Sequence, residues 1–138
     1  MKFLKIGSLF LMMAFLFACS SGSSSSSSSG GDSTTDITGT WKGTAGSTGS
    51  TTYVNITFTI TQSSNSISGT YACSPGTDLC LTSSMTLSGT ISGSSFTGTG
   101  TTTGINCGFT GTVNGSSLGG SYSCNSGVYT GTWDTTKQ

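Results

Sequence analysis

One five-residue phrase recurs along this chain and limits what it can fold into. A large apolar residue, a small polar residue, glycine, threonine and a second large residue follow in order. The phrase reads Ile37, Thr38, Gly39, Thr40, Trp41, then Ile67, Ser68, Gly69, Thr70, Tyr71, then Phe109, Thr110, Gly111, Thr112, Val113, and last Tyr129, Thr130, Gly131, Thr132, Trp133. With a side-chain period of two, the large residues and the central glycine share one face and the hydroxyls take the other. No stretch from position 36 onward has a helical period, so the domain is all-β. The phrases are unevenly spaced, as in a meander and unlike a solenoid of fixed coil length.

Eight strands are expected, near 37–44, 51–62, 66–73, 84–92, 95–103, 106–114, 117–124 and 128–135. If Gly115 and Ser116 form a two-residue turn with glycine at the positive-φ position of a type II′ turn, Val113 faces Leu118, Gly111 faces Gly120, Phe109 faces Tyr122 and Cys107 faces Cys124. A turn at Gly93 and Ser94 pairs Ile91 with Phe96 and Gly89 with Gly98. A turn at Gly104 and Ile105 would pair Gly98 with Gly111. On the second strand Val54, Ile56, Phe58 and Ile60 face inward with no glycine among them. Meandering strands with one apolar face suit a small antiparallel up-and-down barrel, which leaves no open edge. The alternative is a two-sheet β-sandwich. A closed barrel needs shear, and uniform hairpins supply little, so the offset is expected where the first, second and last strands meet.

The register places Cys107 and Cys124 at a non-hydrogen-bonded pair, where facing Cα atoms come closest. Cys73 and Cys80 remain as the second pair. An even set of four cysteines in an exported chain reads as two disulfides; no CxxC spacing supports a metal site.

Residues 1–18 hold Lys2 and Lys5, then an apolar run from Ile6 to Phe17, then Ala18 before Cys19. The run is shorter than the roughly 20 residues of a spanning helix. It resembles a bacterial lipoprotein signal with its lipobox. That resemblance implies cleavage before Cys19, a diacylglycerol thioether on it and acylation of the new amino terminus. Several acyl chains at ~0.8 kcal/mol per buried methylene make a stable anchor. Ser20, where Asp would retain the protein at the inner membrane, points to the outer membrane of the bacterial cell envelope. Residues 19–35 are then the lipidated cysteine and a Ser/Gly tether too poor in apolar surface to fold, and 36–138 the barrel domain.

The 138 residues contain no His, Arg or Glu, and Lys2, Lys5, Lys42 and Lys137 balance Asp32, Asp36, Asp78 and Asp134. Without a basic patch, nucleic acid is not an expected partner. Without His there is no Ser-His or Cys-His pair, and four scattered aspartates are poor material for a carboxylate dyad. The expectation is no enzyme, no cofactor and no metal.

The phrase Ile37 to Trp41 looks like the first strand of the avidin and streptavidin family, and Ile67 to Tyr71 resembles its third strand region. The resemblance implies an eight-stranded barrel with a biotin site at one end. Tyr71 then matches a tyrosine that touches the biotin ureido oxygen, and Ser47 matches a serine. Gly43 stands where that family has a ligand-binding asparagine and Cys73 where it has a serine. The later tryptophans that wall the biotin site have no counterpart here, where Trp41 and Trp133 are the only two.

Three functional readings follow. The domain is an interaction or structural module for an unknown protein, working through loops such as 45–50 and 73–80. Alternatively it binds a small apolar ligand between Trp41, Tyr71, Tyr122, Tyr129 and Trp133, unless those rings only fill the core. In the third reading outward rows such as Thr57, Thr59 and Thr61, or Thr97 and Thr99, bind an ordered surface, ice or polysaccharide.

Overall fold

A computed structural model describes residues 33–74 and 80–138. The segment expected to carry the lipobox, Cys19 and the tether up to position 32 lies outside them. Eight strands follow in order: β1 Gly39–Ser47, β2 Tyr53–Ser63, β3 Ser66–Cys73, β4 Ser84–Ser92, β5 Ser95–Thr102, β6 Ile105–Asn114, β7 Ser117–Cys124 and β8 Tyr129–Lys137. Each pairs antiparallel with its neighbours and β8 closes on β1, so the chain forms an up-and-down barrel rather than a sandwich.

Inward residues, most of them large, alternate with outward residues that are mostly Ser and Thr. Val54, Ile56, Phe58 and Ile60 of β2 are all buried, as are Met85, Leu87 and Ile91 of β4. The exposed wall carries hydroxyls where a membrane-spanning barrel carries an apolar band, so the wall faces water.

The barrel's shear can be followed through facing pairs. A line leaves β1 at Gly39 and runs through Ile60, Gly69, Leu87, Gly100, Cys107 and Cys124 to Tyr129. Tyr129 lies two residues before Gly131, which faces Ser47, so the line returns to β1 level with position 49, ten residues beyond its start. Such an offset tilts the strands of an eight-stranded barrel by about 35–45°. Two hairpins supply part of it: Ser66 faces Thr90 while β4 runs on to Ser92, and Ser95 faces Thr112 while β6 runs on to Asn114. The larger remainder arises where β8, β1 and β2 meet, as the sequence led one to expect.

The Gly115–Ser116 turn forms as expected, with Gly115 at φ +59° and the four predicted pairs of β6 and β7 in place. The β5–β6 turn does not. Thr102 faces Ile105, so the turn is Thr103–Gly104, with Gly104 as its second residue at φ +76°. Pairing slips by two residues: Gly98 faces Phe109 and Phe96 faces Gly111. A slip of two preserves the faces, and it replaces glycine opposite glycine with glycine opposite ring.

At five inward glycines a carbonyl from another strand occupies the place of a side chain. A Cβ would meet the Asp134 oxygen at Gly43, Thr59 at Gly69, Thr97 at Gly89, Thr110 at Gly120 and Gly46 at Gly131. The outward-facing Gly108 differs, with nothing nearer to its missing Cβ than the Ser123 oxygen at 3.9 Å.

Gly120→Ala is therefore expected to destabilise the barrel by more than about 2 kcal/mol, whereas Gly108→Ala is expected to change stability by less than about 1 kcal/mol in either direction. Paired urea unfolding curves would show this, and equal midpoints for the two variants would contradict it.

Candidate functional site at the open end

The two ends of the barrel differ. At the end where the chain enters, Thr35 donates its N–H to the Gly93 carbonyl at 3.0 Å, so the segment before β1 crosses the barrel's mouth there. Ile37 drops into the opening and is fully buried. Its N–H donates to Gln62 Oε1, and its carbonyl accepts from Trp41 Nε1, both at 2.9 Å. Ile37 was expected in the first strand; it leaves the sheet because it serves as the plug. Trp41 is buried behind it, with Lys137 Nζ 5.6 Å from its ring centroid.

The middle of the barrel is filled with rings. Phe58, Tyr71, Phe96, Phe109 and Trp133 pack with centroids 5.0 to 6.4 Å apart, mostly tilted or edge to face, geometries each favourable by about 0.5–1.5 kcal/mol beyond area burial. These rings cover glycines: Phe96 stands 2.9 Å from a Gly98 Cβ position, Phe109 3.0 Å from that of Gly100, and Trp133 2.9 Å from that of Gly111. Trp133 Nε1 donates to the Ser121 carbonyl at 3.0 Å.

At the other end no described residue forms such a plug, and a cavity lies there under Tyr71, Tyr122, Phe109 and Trp133, with Ala45, Ile56 and Met85 completing its floor and sides. Both disulfides reach it. Cys107 and Cys124 bridge β6 and β7 at a Cα separation of 4.0 Å, the close spacing of a non-hydrogen-bonded pair. Cys73 is bonded to Cys80, and Leu81, next to it, is half-buried against the core. The volume open to the centre of a water molecule is about 20 Å³, room for little more than one water.

Of the five residues expected to line a pocket, Tyr71, Tyr122 and Trp133 do so. Trp41 is walled off at the plugged end, because the line of facing pairs climbs around the barrel. Tyr129, 40% exposed, sits on the outer rim. Ala45, Ile56 and Met85 were missed, although their alternation marks them as inward; only the shear puts them at the same height.

Tyr71, with Tyr122 and Thr82, brings a hydroxyl to the cavity's lining. It is 6% exposed, and its hydroxyl has no hydrogen-bond partner among the described residues. Burial, with a smaller contribution from Tyr122, pushes its pKa up to about 12. Ser47 Oγ lies 3.4 Å from the Tyr122 hydroxyl. Gly43 could not be the asparagine of the biotin binders, since the Asp134 carbonyl fills its side-chain space.

No family model matches this sequence, and no curated protein matches it. What stands is a small, disulfide-bearing, eight-stranded closed barrel.

The raised Tyr71 pKa has a consequence for stability. The folded state holds this proton more tightly than the unfolded chain, so its contribution is fully present below about pH 10 and is lost as pH rises to about 12. The expected loss is roughly 2–3 kcal/mol. Denaturation midpoints measured across that range should fall in the parent and be flatter in Tyr71→Phe; parallel curves would contradict the assignment.

Proposed function

We propose that the chain is a lipid-anchored protein of the bacterial cell envelope that displays this barrel as a non-catalytic interaction or structural module. The observation that carries the reading is Cys19 at the end of an apolar run, followed at once by a Ser/Gly tract that leads to the barrel. The anchor is a diacylated Cys19 and residues 20–35 are the spacer, the last of which, Thr34 and Thr35, hydrogen-bond to the barrel. Position 1–18 is the removed signal, and the outer membrane is the favoured location. The absence of histidine, and an interior occupied by packed rings, support a role in which the barrel presents its surface instead of transforming a substrate.

Metabolic labelling with palmitate should mark the parent and leave Cys19→Ala unlabelled, with the variant shifting from the membrane fraction to the soluble one. Persistent labelling of the variant would sink the anchor.

The Tyr71 hydroxyl, which no described residue engages, favours a second reading, in which this end takes a small apolar ligand. Trp133 lines that cavity and Trp41 does not, so Trp41→Phe isolates the informative fluorophore. Under the display reading its emission stays constant on titration with biotin or with toluene. A saturable change would transfer the assignment to the ligand reading.

A further inference from the structure

We propose that the outer wall across β7, β8, β1 and β2 binds a neutral carbohydrate chain. The proposal deepens the interaction-module reading and rests on it. Tyr53 is 63% exposed, yet its ring is not free. It faces Gly46 on β1, and its Cδ1 and Cε1 both lie 2.8 Å from where a Gly46 Cβ would stand. The Cδ1–Cε1 edge of the ring therefore rests against Gly46, which restrains the ring, while most of it is turned to water.

Hydrogen-bonding groups stand beside it in the next row. Thr44 faces Asn55 on one side and Asp134 on the other, so an amide, a hydroxyl and a carboxylate follow one another across three strands. All three are exposed. At the usual strand separation the row spans about 10 Å. Asp134 Oδ2 lies 2.8 Å from the Cβ position of Gly119, so the carboxylate lies along the wall as the tyrosine does.

This combination has a definite chemical complement. An uncharged flat ring accepts the C–H face of a pyranose, the Asn55 amide donates and accepts, and the Asp134 carboxylate accepts from sugar hydroxyls. Nucleic acid would be repelled by Asp134, and Lys42, two residues from Thr44, balances that charge against a cationic partner. The opposite wall offers no such set. The outward positions of β3, β4 and β5 are Ser, Thr and Ala72, so hydroxyl rows alone are present there. Chains of equatorially substituted sugars, such as β-linked glucose or N-acetylglucosamine, expose the flattest apolar faces and are the preferred class.

The test is calorimetric titration of the purified full chain in detergent micelles with cellohexaose and with chitohexaose. Saturable binding of at least one is expected at millimolar sugar or below. Tyr53→Leu, which still covers Gly46 but lacks a flat face, should lower affinity at least tenfold, while Tyr53→Phe stays within twofold. Asp134→Asn should weaken binding several-fold, and Thr97→Ala on the opposite wall should not alter it. Thermal unfolding of each variant separates lost binding from lost folding. No heat with either sugar, or binding indifferent to both Tyr53→Leu and Asp134→Asn, would overturn the proposal. A blank with both sugars removes the glycan and leaves the lipid-anchored display standing, whereas absence of Cys19 lipidation removes the anchor and leaves the sugar titration unaffected.

Discussion

The structure depends on close approach between strands at positions that carry no side chain. At Gly43, Gly69, Gly89, Gly120 and Gly131 a backbone carbonyl stands where a Cβ would project, and no residue larger than glycine fits without moving a strand. Such sites let the sheet bend sharply enough to close with eight short strands. A second set, Gly98, Gly100 and Gly111, leaves space inside, and Phe96, Phe109 and Trp133 take it, so bending and filling fall to different glycines of the same repeated pattern. At one end a cavity of about 20 Å³ remains.

Much of this was legible in the sequence because a period of two and a two-residue turn are local properties. The facing of Cys107 with Cys124 followed from counting outward from Gly115, and the inward set of β2 followed from alternation. What local rules could not supply was height on the barrel. Trp41 and Trp133 occupy equivalent places in the repeated phrase, yet one lies behind the plug and the other toward the opposite end, because shear is a property of closure and not of any hairpin. The β5–β6 turn shows a related limit: Gly104 serves as well in the second turn position as in the first, and the choice was made by rings meeting glycines across the pair. The candidate pocket was accordingly half legible, with Tyr71, Tyr122 and Trp133 placed together and Trp41 and Tyr129 separated from them.

The two disulfides and the end without the Ile37 plug belong to one design. The plugged end is held by Ile37 and by hydrogen bonds from its backbone, while the end without a plug is where Cys107–Cys124 and Cys73–Cys80 lie. Covalent links restrict the unfolded chain by about 2–4 kcal/mol each, and here both lie at the end opposite the Ile37 plug.

The way the chain joins the barrel also bears on how it withstands force. Thr35 and Ile37 hold the approach across the plugged end, and β1 begins immediately beyond, bonded along its length to β2 and β8. Drawing the chain out from its amino-terminal side therefore means breaking β1 away from two neighbours, since a closed barrel has no edge strand to peel.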